Sequence, residues 1–115
     1  MLRGEIRLVD FGQALPGEPA NQRPAVIVSN DGANSTATRL GRGVVTVAPI
    51  TSNVSRVYPF QVFVSADESG LERDSKVQAE QVRSVSVERV SRALGSVPAP
   101  LMMRVDDTLR LHLAL

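Results

Sequence analysis

The chain has 115 residues, of which 43% are hydrophobic and 22% charged, and its formal net charge is +1. This length and composition are typical of one globular domain, so we expect a single domain over residues 1–115. Cysteine is absent, which excludes disulfide scaffolds, thiolate metal sites and cysteine nucleophiles. No apolar run reaches membrane-span length, and charged residues interrupt the first ten positions, so we expect a cytoplasmic protein with no membrane association.

Arginine accounts for all the basic residues except Lys76. Arginine binds phosphate with two parallel hydrogen bonds and stacks on bases, which favours a nucleic-acid substrate. A bias toward GC-rich codons would produce the same composition. Both explanations stay open at this point.

The first half of the chain predicts three strands. Residues 4–11 alternate between apolar and polar and indicate a first strand. Residues 12–22 contain two prolines and two glycines and predict a long loop. Residues 23–30 indicate a second strand, with Pro24 at its start or on an edge because proline has no N–H to donate. The polar residues 30–43 predict a loop with a short helical turn, and residues 44–50 a third strand buried on both faces.

The second half predicts three more strands and a helix. Residues 60–65 and 75–85 indicate the fourth and fifth strands, and a helical turn precedes a short sixth strand ending near Gly95. A terminal helix follows Pro100, which suits a first helical turn. Its apolar stripe comprises Leu101, Val105, Leu109 and Leu113, with Met102 beside it. Short strands followed by one helix favour a mainly β, α+β fold, a small barrel with short helices.

A candidate site gathers at the strand ends. Arg23 begins the second strand, and the hydroxyls of Thr51 and Ser52 follow the third. Gln81 falls on the same predicted face as Val77 and Ala79, which we expect to be buried, so its amide needs a polar partner. A cation, hydroxyls and an amide suit an anionic ligand.

Other chemical candidates are weaker. Asp106 and Asp107 are adjacent on the predicted helix and do not face each other, which indicates a solvated face. Glu72 and Asp74 fall in a predicted turn, where acidic residues are common. His112 has no second histidine with which to form a paired acid–base ribonuclease site.

Six segments in this order resemble the MazF/PemK (Kid-like) toxins of type II toxin–antitoxin systems. They are RGEIRLVDF (3–11), QRPAVIVSN (22–30), APITSN (48–53), AEQVRSV (79–85), RALGSV (92–97) and the terminal helix. The resemblance implies a compact, SH3-like β-barrel of the CcdB/PemK type. It also implies a homodimer and a cognate acidic antitoxin.

The resemblance further implies a metal-independent endoribonuclease that needs no cofactor and cuts single-stranded RNA at short sequences. The ribose 2′-OH would attack the neighbouring phosphate, leaving 2′,3′-cyclic phosphate and 5′-OH ends. By position, Arg23 and Thr51 match the family's catalytic residues, and Ser52, Asn53 and Gln81 match positions expected to contact substrate. Many members read Gly-Ser-Glu-Gln before the Arg-Pro pair, whereas this chain reads PGEPANQ, so Glu18 is expected in place of that glutamate.

Two other classes of function stay open. One is a non-catalytic poison of DNA gyrase, because the CcdB toxins are thought to share this fold. The other is an SH3-like binding module, although such modules usually present an aromatic groove and aromatic residues are 3% of this chain. The Arg-Pro and Pro-Ile-Thr-Ser motifs favour the ribonuclease.

Overall fold

An antiparallel sheet of seven strands organises the computed structural model, which describes residues 1–18 and 21–115. The strands are β1 (Glu5–Asp10), β2 (Gln22–Ile27), β3 (Val44–Thr51), β4 (Gln61–Val64), β5 (Ser75–Gln78), β6 (Arg83–Ser86) and β7 (Val90–Ser96). Their spatial order is β4-β5-β3-β2-β1-β7, and β6 also pairs with β3. The predicted mainly β fold is therefore confirmed, while Pro19 and Ala20 of the predicted loop lie outside the described residues.

The long strand β3 connects the two parts of the sheet. One edge pairs with β2, while the other pairs with β6 along its first half and with β5 at its end. The expected continuous strand over residues 75–85 is therefore wrong. β5 pairs with the last residues of β3 and β6 with its first residues. A 3₁₀ turn over Ala79–Gln81 connects β5 to β6.

Both faces of the central strands β2 and β3 are buried, as predicted for the third strand. Along β2, Val26 packs into one cluster, whereas Ala25 and Ile27 pack into another, as the period of two requires. The first cluster includes Met102 and Val105 of the terminal helix. The second lies under the first helix and includes Ala37 and Phe11.

Three helices accompany the sheet: α1 (Asp31–Leu40), α2 (Ala66–Ser69) and α3 (Ala99–Leu113). The expected short turn after β2 is instead the ten-residue helix α1. The Asn30 side chain accepts a hydrogen bond from the Ala33 N–H at its start, and Gly41 ends it in the left-handed conformation. These caps favour a helix although its sequence is polar.

The terminal helix α3 follows the prediction in part. Met102 and Val105 are buried and Leu101 and Leu109 pack against the same cluster, but Leu113 is half exposed. Along the described residues, no helix combines the length and apolarity needed to cross a bilayer.

Candidate active site

A cavity of about 600 Å³ opens between β2, β3, β7 and the segment that joins α2 to β5. Its polar lining consists of Arg23, Thr51, Ser52, Glu72, Arg73, Ser75 and Arg92. Three of these residues, Arg23, Thr51 and Ser52, were predicted as site residues. The cavity therefore brings together the predicted cation and the predicted pair of hydroxyls.

The register of β2 and β3 explains why Arg23 and Thr51 meet. The strands pair from Ile27 with Val47 up to Ala25 with Pro49, where the pairing stops. Arg23 and Thr51 each lie two residues beyond this last pair, at the same end of the two strands. Pro24 lies between and has no N–H for a ladder bond, so the strands separate and leave an open mouth. The sequence predicted Pro24 at the strand start or on an edge; it is the third residue of β2, directly before the first residue that pairs with β3.

The hydroxyl of Thr51 is oriented by the backbone that follows it. Its Oγ1 accepts a hydrogen bond of 3.2 Å from the Asn53 N–H. A hydroxyl that accepts through a lone pair keeps its own proton to donate. Thr51 can therefore donate to an anion in the cavity, and the exposed Ser52 adds a second hydroxyl.

Hydrogen bonds within residues 65–75 fix the opposite wall. The Asp74 carboxylate accepts from the Ala66 N–H at 2.8 Å, and the Ser75 hydroxyl donates to the Arg73 carbonyl at 3.0 Å. At the start of α2, the Ser65 N–H and hydroxyl both donate to Glu68. These two bonds, the backbone bond first, lower the pKa of the Glu68 carboxyl. The wall that carries Arg73 is thus a compact turn rather than a loose loop.

The charge of the cavity is strongly positive. Arg23, Arg73 and Arg92 face a single lining carboxylate, Glu72. Among the described residues, none of these three guanidinium groups forms an ion pair within 4 Å, since the pairs formed are Arg3–Asp106, Arg7–Glu5 and Arg110–Asp107. Such a site attracts an anion with more than one negative charge.

Three predicted site residues lie apart from this lining. The Gln81 amide donates to the Gly17 carbonyl at 2.8 Å, so its polar partner is the loop after β1. In the same loop, Glu18 accepts from the Leu15 N–H at 2.9 Å. Asn53 accepts from the Ser55 hydroxyl at 2.9 Å. The expected face shared by Gln81 with Val77 and Ala79 is wrong, because the 3₁₀ turn interrupts the strand alternation.

The sequence interpretation missed Glu72, Arg73 and Arg92 as cavity residues. The first two were assigned to an ordinary turn, and nothing in that turn indicates the strand on which it packs. Arg92 had a usable signal. It lies two residues from Leu94 on β7, so the two share a face of the strand, and both line the cavity. In the described chain, no three His, Asp or Glu side chains form a cluster suited to a metal ion.

The family described as PemK-like, MazF-like toxin of type II toxin–antitoxin system matches residues 2–113, and the chain belongs to this family. The predicted resemblance is therefore confirmed.

Individual relatives agree with this assignment. The chain is 57% identical over 115 residues to endoribonuclease MazF9 of Mycobacterium tuberculosis (strain ATCC 25618 / H37Rv), covering 100% of this chain and 98% of that protein. The crystal structure of MazF (Form-I) from Deinococcus radiodurans has the same fold, with a TM-score of 0.80 at 24% identity over 100% and 97% of the two chains. A MazE–MazF crystal structure (Form-II) from the same organism gives 0.74 at 25% identity over 100% and 96%.

Proposed function

We propose that the protein is an endoribonuclease toxin that cuts single-stranded RNA and is neutralised by a cognate antitoxin. The observation that carries the proposal is that Arg23 and Thr51 line one cationic cavity. A fixed guanidinium beside a donating hydroxyl suits the phosphate of an RNA backbone. The similarity to endoribonuclease MazF9 supports the same substrate class.

In the proposed reaction, the ribose 2′-oxygen forms a bond to the adjacent phosphorus while the bond from phosphorus to the 5′-oxygen breaks. The products are a 2′,3′-cyclic phosphate and a 5′-OH. Negative charge grows on the phosphoryl oxygens, and the Arg23 guanidinium stabilises it with charge-assisted hydrogen bonds. The Thr51 hydroxyl donates to the same oxygens. Both groups stand at strand ends, which hold them in a fixed geometry.

The proton of the 2′-OH needs an acceptor, and Arg23 cannot serve because arginine stays protonated in proteins. Glu72 is the carboxylate that lines the cavity, whereas Glu18 lies outside the lining and is bonded to its own loop. The acceptor in this proposal is therefore Glu72 or a water molecule. The leaving 5′-oxygen takes its proton from solvent, while Arg23 stays protonated.

The antitoxin follows from the charge of the same cavity. We propose an acidic, partly disordered partner whose carboxylates occupy the space of the RNA phosphates. In one related structure, MazF from Deinococcus radiodurans is solved with MazE. Mixing the purified toxin with the acidic protein encoded beside it should stop cleavage, and unchanged cleavage would refute this part of the proposal.

The decisive experiment uses the substrate's own hydroxyl. The cut site is first mapped with mixed cellular RNA by labelling the new 5′-OH ends. One deoxyribose immediately 5′ of that cut should then abolish cleavage and leave binding nearly unchanged, because the nucleophile is removed but the phosphates remain. Deoxyribose elsewhere should matter much less, and EDTA should leave the rate unchanged.

A cut at the singly deoxy-substituted bond would make water the nucleophile and refute the mechanism. Toxicity in cells without cleavage of any RNA would favour the gyrase poison. Binding without either effect would favour the SH3-like module.

A further inference from the structure

The cavity contains two arginines that the proposed reaction does not use. Arg73 extends from the turn between α2 and β5, and Arg92 extends from β7. Both side chains are exposed, and neither forms an ion pair among residues 1–18 and 21–115. Exposed guanidinium groups gathered in one cavity repel each other unless an anion binds between them.

We propose that Arg73 and Arg92 each bind a backbone phosphate next to the one that is cut, so that the cavity holds three phosphates of one RNA strand. This inference rests on the proposed function and assigns its substrate contacts. Arg23 and Thr51 act on the scissile phosphate at the mouth between β2 and β3. Arg73 and Arg92 are positioning residues on the facing wall, where they fix the register of the strand.

The chemistry of the lining favours phosphates over bases at this wall. Arg73 and Arg92 offer forked donors that match phosphate oxygens. An arginine fork can also pair with guanine, and the salt slope separates the two cases, because a phosphate contact releases a counterion and a base contact does not.

The first test measures binding without cleavage. The probe is a single-stranded RNA oligonucleotide with one deoxyribose 5′ of the mapped cut, titrated at several salt concentrations. Each phosphate contact on a single strand contributes about 0.7 to the slope of log affinity against log salt. Arg73→Gln and Arg92→Gln should each reduce the slope by about 0.7, and the double variant by about 1.4, if each arginine binds one phosphate.

The matched control is Arg39→Gln, since Arg39 is an exposed arginine on α1 outside the cavity lining. Its slope should equal that of the unaltered protein. Thermal unfolding of all four variants should stay close to the unaltered protein, because every replaced side chain is exposed. Slopes for Arg73→Gln and Arg92→Gln that match the Arg39→Gln slope would overturn the inference.

The second test identifies the phosphates themselves. Neutral methylphosphonate linkages are placed one at a time on either side of the cut. A neutral linkage at the correct position should weaken binding by the unaltered protein about tenfold, the loss expected for one charged hydrogen bond. The same linkage should have little effect on the variant that lacks its arginine, whereas an equal effect on both proteins would refute that assignment.

Steady-state kinetics separates this inference from the proposed function. The Arg92→Gln and Arg73→Gln variants should raise KM with kcat largely retained, because they remove binding that the ground state and the transition state share. If the unaltered protein cuts RNA but the salt slopes do not change, the inference alone fails. If no RNA is cut, the slopes are measured with an unmodified single-stranded RNA oligonucleotide, and a change in them then supports phosphate binding while the proposed function fails.

Discussion

Gly95 of β7 lies directly against the backbone of Ser69, the last residue of α2. A Cβ placed on Gly95 would stand 2.1 Å from the Ser69 carbonyl oxygen and 3.2 Å from its carbonyl carbon. Only a residue without a side chain permits this approach. The contact brings the turn with Glu72 and Arg73 down onto β7, beside Arg92, and so closes the wall of the cavity.

Gly95→Ala should therefore displace that wall. The clash involves backbone atoms, which cannot rotate away, so we expect a loss of about 1–3 kcal/mol in the free energy of unfolding. RNA binding should weaken more than stability alone explains. Urea denaturation measures the first effect and oligonucleotide titration the second. Ala93→Ser, at an exposed neighbour on the same strand, should stay within about 0.5 kcal/mol.

Arg23→Ala should leave the fold intact and remove charge stabilisation in the transition state. By comparison with the loss of one oxyanion donor, we expect kcat to fall roughly 100-fold or more. Arg23→Lys should recover only part of the rate, because an ammonium group cannot form the forked pair of bonds. Single-turnover cleavage measures both variants, and full activity in a folded Arg23→Ala protein would remove Arg23 from the mechanism.

The two hydroxyls at the end of β3 should partly replace each other. Thr51→Ala should cost less than Arg23→Ala, because Ser52 lines the same cavity. Replacing Thr51 and Ser52 together should cost more than the two single losses combined. A strictly additive double variant, measured by the same cleavage assay, would show that the hydroxyls act independently.

The cap of α2 predicts a pH-dependent contribution to stability. Because the pKa of Glu68 is lowered in the folded protein, its carboxylate stabilises the fold fully above the unfolded pKa. That contribution is lost as the pH falls through the folded pKa. Ser65→Ala removes the hydroxyl donor but keeps the backbone N–H, so the pKa of Glu68 should rise part of the way toward its ordinary value.

The test compares urea midpoints of the two proteins at neutral and acidic pH. The difference between unaltered protein and Ser65→Ala should be larger at neutral pH. NMR titration of Glu68 gives the direction of the pKa change directly, and an unchanged pKa in Ser65→Ala would contradict the assignment.

The terminal helix α3 leaves apolar side chains exposed, which favours self-association. We expect a homodimer that covers apolar surface left exposed on α3, where Met103 is 68% and Leu111 60% exposed. Met102 does not belong to this surface, because it packs inside its own chain. Sedimentation at micromolar concentration should give a dimer, and Leu111→Lys should weaken it while Ser35→Lys on α1 should not.

Strands with local signals were predictable from the sequence. β2 and β3 contain apolar runs with turn residues on either side, and such runs are recognisable without knowing their partner strands. Arg23, Thr51 and Ser52 were found because each stands at the end of such a run. That Arg23 and Thr51 line one cavity depends on the register of two strands that are distant in sequence, which no local pattern specifies.

Features that depend on tertiary packing were not predictable. The break at Ala79–Gln81 exists because β5 and β6 pair with different halves of β3. Arg73 enters the cavity only because Gly95 admits the turn that carries it. The helix α1, in contrast, was predictable, because Asn30 and Gly41 are recognisable capping residues. It was predicted as a loop with a short helical turn because its sequence is polar.

The two walls of the cavity come from opposite ends of the chain, with Arg23 on β2 and Arg92 on β7. During translation, a ribosome therefore synthesises more than three quarters of the polypeptide before it reaches β7, which carries Arg92. A nascent chain still in synthesis carries Arg23 and Thr51 without the strand that faces them. Premature termination before β7 would release a fragment with an unpaired β1 edge and an incomplete site, so an interrupted message should not yield a working toxin.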